Sequence, residues 1–381
     1  MLSPVLGIDF GTSNTVAVLR RGDGRVEPVL FDGSPLLPSA VFAGDDGRLI
    51  VGADALHFGR TRPERLEPHP KRRVDDGSVL LGGTEYRVPE LFAAVLRHAG
   101  TTAARLEGVR PLVVLTHPAA WGRPRRDVLL RAAHEAGLPE PVLVPEPVAA
   151  VAYHGRDLDA GSHIVVCDLG GGTFDAAVLR RETHGHTLLG VTGLDDLGGV
   201  DLDEALSVHT GRRVAAEDMR AARERLSRHQ TVDLPGGGHL TRAELERVAE
   251  PHLRRAVEAT TGLLGGLPVT AVYLVGGGAR TPLLGTLLHR ALGRAPVLAD
   301  AVEQVVALGA VMGVEARPAS RAPSYEPLAY IEPVDIDPGD PLLPGPEEEA
   351  ERVRRSQATI AGVVGLLALA AITLIVWIAL L

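Results

Sequence analysis

Two short segments of the chain repeat one pattern of chemically useful residues. Each has an apolar strand-like run that ends in an aspartate, then a turn of glycine and hydroxyl residues, then a second apolar run. The segments are 5–19, VLGIDFGTSNTVAVL, and 164–179, IVVCDLGGGTFDAAVL. Glycine lets successive backbone N–H groups point toward one anion and lets the chain approach it closely. Each turn is therefore typical of a nest for phosphate oxygens.

The carboxylates of the two segments predict a metal ion beside the phosphate. Asp9, Asp168 and Asp175 would repel a phosphate group, so we expect a divalent cation, Mg²⁺, to lie between them and to keep most of its waters. One glycine turn alone is equally typical of an ordinary tight hairpin. Its repetition favours a pair of hairpins that clamp one polyphosphate from both sides. The phosphate-contacting candidates are Gly11, Thr12, Ser13, Asn14, Gly170, Gly171, Gly172 and Thr173.

A third glycine turn follows an apolar run near residue 275. It consists of Gly276, Gly277, Gly278 and Arg280, and Pro282 then stands where a helix would begin. Many α/β turns have this composition, so the turn alone is a weak signal. Beside the other two turns it is a candidate for the nucleoside end of a ligand, with Arg280 able to stack on a base.

Lys71 is the only lysine among 39 basic residues. Read alone, it is more typical of a solvated surface than of a site. Next to a phosphate it would provide a compact point charge, a role to which the planar guanidinium of arginine is less suited.

The elements that would position these residues alternate between strand and helix, which indicates an α/β fold class. The apolar runs predict strands at 5–9, 15–20, 111–116, 163–168, 176–179 and 269–275. Helix-like patterns occupy 89–98, 125–136, 148–154, 218–228, 242–264 and 281–292.

The motifs at 9–14, 168–175 and 276–280 resemble the phosphate and adenosine motifs of the actin-like ATPases, and most closely the nucleotide-binding domain of the heat-shock 70 kDa chaperones. The resemblance extends through most of residues 3–316, including 145–153, which is similar to the family's inter-lobe connection. It implies an actin-like ATPase fold with two ribonuclease H-like lobes around a nucleotide cleft. It also implies ATP or ADP with Mg²⁺ as ligands.

The same resemblance implies roles for individual residues. Lys71 matches the catalytic lysine that positions the attacking water and the γ-phosphate, and Glu146 matches the glutamate near that water. It places Thr173 and Asp175 with them in the catalytic group, and Asp9, Asp168 and Asp175 around the hydrated metal. Arg223 and Ser227 match adenosine-contacting positions, together with Gly276, Gly277, Gly278 and Arg280. Two positions depart from the family pattern, because Arg220 stands where glutamate is usual and Glu224 where arginine is usual.

Composition excludes several classes of function. The formal net charge of −9 is the wrong sign for a protein that grips a nucleic-acid backbone along a basic face, so no nucleic-acid partner is expected. The single cysteine, Cys167, excludes an intrachain disulfide and cysteine-based metal sites. The N-terminus lacks a basic segment followed by an apolar one, so no secretory signal is expected.

The C-terminal part predicts a membrane anchor. Residues 358–381 carry no charged side chain and as a helix would be about 36 Å long, enough to cross a bilayer. Arginines precede this segment, so the positive-inside bias places the rest of the chain on the cytoplasmic side of the cell membrane. Residues 317–357, rich in proline and carboxylates, predict an extended linker. The expected domains are thus 1–316, 317–357 and 358–381.

The expected function is a slow ATPase switch for a membrane-associated protein partner. The linker and anchor follow where the family has a peptide-binding domain, so no peptide-clamping cycle is expected here. The alternative is a non-hydrolysing, nucleotide-dependent protein of the same fold, either an actin-like scaffold element or an adaptor of a membrane assembly such as a secretion system. A sugar or acetate kinase of the same fold is a third class.

Overall fold

The computed structural model describes residues 3–107, 111–154, 158–212 and 214–313. The chain divides into two compact units after Ser320, and the described residues all belong to the first. The predicted linker, the predicted anchor at 358–381 and the domain boundaries at 316 and 357 lie outside the described residues and stay predictions. In the described ranges, no helix is both long enough and apolar enough to cross a membrane.

The described part alternates strands and helices along its length. Its strands are, in chain order, β1 (Val5–Phe10), β2 (Asn14–Arg20), β3 (Val26–Pro28), β4 (Leu36–Pro38), β5 (Val41–Ala43), β6 (Leu49–Val51), β7 (Leu66–Glu67), β8 (Ser78–Leu81), β9 (Thr84–Arg87), β10 (Leu112–His117), β11 (Val142–Pro145), β12 (His163–Leu169), β13 (Phe174–Arg181), β14 (His186–Leu194), β15 (Thr231–Asp233), β16 (His239–Thr241), β17 (Ala271–Val275) and β18 (Val297–Leu298). Its helices are α1 (Ala53–Gly59), α2 (Val88–Glu107), α3 (Arg123–Glu135), α4 (Glu146–His154), α5 (Gly199–Thr210), α6 (Ala216–Leu226), α7 (Arg242–Leu264), α8 (Pro282–Leu292) and α9 (Val305–Met312).

Two mixed sheets repeat one topology. The first has the order β11-β10-β1-β2-β3, with β4 also on β2, and the second has the order β18-β17-β12-β13-β14. In the first sheet, β2 runs antiparallel to both β1 and β3, β10 is parallel to β1, and β11 is parallel to β10. In the second sheet, β13 runs antiparallel to both β12 and β14, β17 is parallel to β12, and β18 is parallel to β17. The duplication expected from the two hairpins thus extends to the whole sheets. This mixed α/β architecture is consistent with the predicted actin-like ATPase fold.

The predicted elements are confirmed, with some changes in length. Helix α2 continues well past the predicted end at residue 98, because Ala99 and Ala103 carry its buried face onward. Helix α8 begins at Pro282 as expected, after Thr281. Several other elements were not predicted from the sequence, among them the short strands β5 to β9 and helix α5. Strands of two to four residues are too short to show an alternating pattern, and α5 begins with a glycine.

Helices α4 and α9 cross closely and connect the two sheets. Helix α4 follows β11 of the first sheet, and α9 follows the second sheet yet packs on α4, β1 and β2. A side chain at Gly309 would overlap the Ala149 backbone, and one at Gly7 would lie 2.7 Å from the Ala307 carbonyl oxygen. Glycine at both positions therefore permits the close approach. Because α4 begins at Glu146, this crossing fixes the position of that carboxylate.

Candidate nucleotide site

The two glycine hairpins of the repeated sheets face each other at close range. One turn connects β1 to β2 and the other connects β12 to β13. A side chain at Gly171 would overlap the Ser13 side chain, and one at Gly172 would lie 2.7 Å from the Thr12 methyl carbon. A side chain at either position would force its neighbour to move, so glycine lets the hairpins meet this closely. The two turns that the sequence predicts to act together are side by side.

A cleft with about 870 Å³ of empty space opens at this contact. Predicted site residues from all three glycine turns and from the lysine segment line it, namely Asp9, Gly11, Thr12, Ser13, Asn14, Lys71, Glu146, Asp168, Gly170, Gly171, Thr173, Asp175, Arg223, Gly276, Gly277 and Gly278. Three predicted residues do not line it. Gly172 lies against Thr12 at the hairpin contact, and Ser227 and Arg280 line an adjoining cavity that shares Gly277 with the cleft.

Four carboxylates, those of Asp9, Glu146, Asp168 and Asp175, meet the ammonium of Lys71 at the deep end of the cleft. Burial and the charge of Glu146 raise the pKa of Asp9 from 3.8 to about 7, although Lys71 opposes this rise. The same two causes raise the pKa of Asp175 to about 6. Burial also raises the pKa of Asp168 well above its usual value, with further contributions from Glu146 and Asp9. Negative charge is therefore in excess at this wall.

This excess fits a hydrated divalent cation. Oxygen-rich walls that are only partly neutralised by protein cations suit Mg²⁺, which keeps several of its waters when it binds. Asp9, Asp168 and Asp175 are the side chains that would hold those waters. In the part of the chain that the structure describes, no group of three His, Cys, Asp or Glu side chains is arranged to ligate a metal directly.

Lys71 lies opposite these carboxylates. It is held in a short helical turn, Pro70–Arg73, and its Nζ donates a hydrogen bond of 2.9 Å to Oε1 of Glu146. Burial alone would lower the pKa of Lys71, but the charges of Glu146 and Asp9 outweigh it, so the pKa is raised. The ammonium is therefore charged at neutral pH and available to an anion in the cleft.

Hydroxyl groups orient two of the carboxylates. Thr116, at the end of β10, donates a hydrogen bond of 3.0 Å to Oδ1 of Asp9. Thr173 donates one of 2.8 Å to Oδ2 of Asp175. The threonine predicted to contact phosphate thus also fixes a carboxylate predicted to hold the metal. Ser39 donates a hydrogen bond of 2.7 Å to the Gly11 carbonyl and braces the first hairpin.

Arg72 connects the two halves of the site, a contact that the sequence analysis missed. Its Nη2 donates to the Gly172 carbonyl at 3.0 Å and to both carboxylate oxygens of Asp201 at 2.7 Å. Arg72 adjoins the predicted catalytic Lys71, whereas Asp201 lies on α5 beside the second hairpin. The only sequence signal is that Arg72 adjoins Lys71, and nothing in the sequence pairs it with Asp201.

The predicted nucleoside end of the cleft and the adjoining cavity are lined by side chains that already have protein partners. Arg223, predicted to contact adenosine, is buried and donates to Asp203 at 2.6 and 3.3 Å. Arg280 donates to both oxygens of Glu303, at 2.6 and 2.8 Å. Ser227 donates to the backbone carbonyl of Glu224 at 2.6 Å. Neither Asp203 nor Glu303 was identified from the sequence.

Arg220 and Glu224, the two positions that depart from the family pattern, both line the cleft. Nε of Arg220 lies 2.9 Å from Oε1 of Glu224, one helical turn along α6.

Gly276, the first residue of the third turn, has a φ of 80° and stands so close to the Asp168 carboxylate that a side chain there would overlap it. The third turn therefore reaches the metal-side wall as well as the nucleoside end.

Comparison with known proteins agrees with this geometry. A family model described as "Hsp70 protein" matches residues 72–231, a range that includes Glu146 and the second hairpin. Proteins named "Chaperone protein DnaK" from two strains of Halobacterium salinarum are each 31% identical to this chain over 346 residues. The match covers 81% of this chain and 55% of each relative, so the chain spans about half the length of the curated relatives it matches. The chain therefore belongs to the heat-shock 70 family, and its described part corresponds to the nucleotide-binding domain of that family.

Proposed function

We propose that the chain binds Mg-ATP in the cleft and hydrolyses it slowly, as a conformational switch for a membrane-associated protein partner. The observation that carries this proposal is the contact between Gly171 and Ser13, which brings two glycine hairpins together beside Lys71 and Glu146. A linear polyphosphate between two such hairpins would receive backbone N–H groups from both sides.

Positioning and charge stabilisation are the main sources of rate in phosphoryl transfer, so each residue has a geometric role. The two hairpins hold the phosphate chain. The ammonium of Lys71 stabilises the negative charge on the terminal phosphate. Its partner Glu146, at the start of a rigid helix, accepts a hydrogen bond from the attacking water and orients it. Bound Mg²⁺ would neutralise phosphate charge from the side of Asp9, Asp168 and Asp175.

The bound phosphate chain would also affect how the two halves of the site close. Thr12 and Ser13 belong to the first sheet, and the Gly170–Gly172 turn belongs to the second, so one ligand contacts both. Loss of the terminal phosphate removes part of this connection, whereas protein contacts such as that between Arg72 and Asp201 remain. We infer that a partner protein reads this difference.

Single-turnover hydrolysis by the Lys71→Ala variant tests the catalytic assignment. We expect hydrolysis to be lost while ATP binding persists, because the hairpins remain intact. Arg48→Ala is the control, since it removes a cation that is 87% exposed, pairs with an exposed aspartate and does not line the cleft. Unchanged hydrolysis in Lys71→Ala contradicts the mechanism. A wild-type chain that binds ATP without hydrolysing it would instead support the alternative, a nucleotide-dependent scaffold or adaptor.

We further propose that residues 358–381 anchor the chain in the cell membrane with the nucleotide site on the cytoplasmic side. The support is the uncharged length of this segment and the arginines before it. Carbonate washing of membranes tests this directly. Retention in the pellet is the expected result, and release into the supernatant would contradict the anchor.

A further inference from the structure

The indole ring of Trp121 lies against the only lysine of the chain. Nζ of Lys71 is 5.4 Å from the centroid of the Trp121 ring. Both side chains are almost buried, Trp121 with 8% of its surface exposed and the Lys71 side chain with 11%. Neither the predicted phosphate contacts nor the predicted metal contacts use this ring.

The position of Trp121 is fixed by its surroundings. It follows β10, and its backbone N–H donates a hydrogen bond of 3.0 Å to the Pro118 carbonyl, just before α3 begins at Arg123. Its side chain belongs to the hydrophobic core of the first sheet. A ring so packed offers a fixed face to the ammonium.

An aromatic face suits this place in the cleft for an electrostatic reason. The ring quadrupole attracts a cation within about 6 Å, and the attraction grows when the pair is shielded from water. Unlike a further carboxylate, the ring adds no negative charge to a wall that already holds Asp9, Asp168, Asp175 and Glu146. It also accepts no conventional hydrogen bond, so the remaining ammonium N–H groups of Lys71 stay free for a phosphate oxygen.

We propose that Trp121 is a positioning residue for Lys71, which holds the ammonium between the indole face and Glu146 and directs it at the terminal phosphate. The catalytic part of this inference rests on the proposed ATPase function. The contact between ring and ammonium does not, and it can be measured in the absence of nucleotide.

Because Lys71 is the only lysine, selective ¹³Cε-lysine labelling of the whole chain in detergent yields a single side-chain NMR resonance. We compare wild type with Trp121→Phe and Trp121→Leu. Phenylalanine keeps an aromatic face with weaker attraction, and leucine keeps apolar bulk without one. The Lys71 pKa is expected to fall by roughly one pH unit in Trp121→Leu and by less in Trp121→Phe, with loss of the upfield ring-current shift in the leucine variant.

The kinetic measurement uses the same variants. The turnover number kcat for ATP is expected to fall roughly tenfold in Trp121→Leu, while KM stays within about twofold and phenylalanine restores much of the rate. Equal Lys71 pKa values and chemical shifts in all three proteins would overturn the proposal. A pKa response with equal kcat values would overturn its catalytic part. A wild-type chain without hydrolysis contradicts the proposed function alone, because the NMR comparison still decides whether Trp121 holds the ammonium.

Discussion

The raised carboxylate pKa values predict that the nucleotide-free, metal-free chain loses stability as pH rises. Asp9 has a pKa of about 7 in the folded chain against 3.8 for the ordinary group. Between these values the folded chain binds more protons than the unfolded chain, so the free energy of unfolding falls with increasing pH. The stabilising contribution is fully present below pH 3.8 and is lost as pH rises through about 7.

The size of the effect follows from the two pKa values of Asp9. A rise from 3.8 to about 7 corresponds to about 4 kcal/mol of free energy at pH 8. Asp175, with a pKa of about 6, adds to the same trend, but the two sites share the charge of Glu146 and their contributions do not simply sum. The Asp9→Asn variant isolates one site, because the amide mimics the protonated carboxyl group and still accepts the Thr116 hydrogen bond.

Urea unfolding of the whole chain in detergent, with a chelator present, measures this effect from pH 4 to pH 8. Relative to wild type, Asp9→Asn should gain about 4 kcal/mol of stability across that range. Asp23→Asn is the control, since hydrogen bonds from Arg25 lower the pKa of that exposed aspartate, which stays ionised from pH 4 to pH 8, so its difference from wild type should stay nearly constant over that range. Added Mg²⁺ should stabilise wild type more at pH 8 than at pH 5. A difference between Asp9→Asn and wild type that does not change with pH would refute the reasoning.

Two further substitutions test other parts of the site. Gly171→Ala introduces a methyl group that overlaps Ser13 and separates the hairpins. Calorimetry should therefore show that the affinity for ATP is lowered about tenfold or more. Gly262→Ala is the control, because Gly262 on α7 has open space around it and the variant should bind ATP normally. Arg223→Gln leaves Asp203 buried without its cation and should cost about 3–5 kcal/mol in urea unfolding. Arg220→Gln, which breaks a more exposed pair on the same helix, should cost under about 1 kcal/mol, and equal costs for the two arginines would contradict this account.

The hairpins could be predicted from the sequence because their information is local. A strand, an aspartate and a glycine turn occupy about a dozen consecutive residues, and their repetition at 5–19 and 164–179 indicated that two similar sites act together. The structure places both turns side by side at the cleft. The lysine and Glu146 were assigned through the family resemblance rather than from local pattern, and they too line the cleft.

The contacts that hold the site together could not be predicted in the same way. Arg72 pairs with Asp201, and Trp121 lies against Lys71, across separations at which no periodic pattern survives. The partner of Arg223 was missed for a similar reason. Asp203 and Arg223 lie on different helices, and only the packing of α5 on α6 brings the two charges together.

The central claim is that two glycine hairpins close on one polyphosphate chain. Calorimetric titration of the whole chain with ATP, ADP and AMP in the presence of Mg²⁺ tests it most directly. The account predicts one site per chain that takes ATP and ADP much more tightly than AMP, because only the longer phosphate chains reach both hairpins. Absence of nucleotide binding, or equal affinity for all three nucleotides, would contradict it.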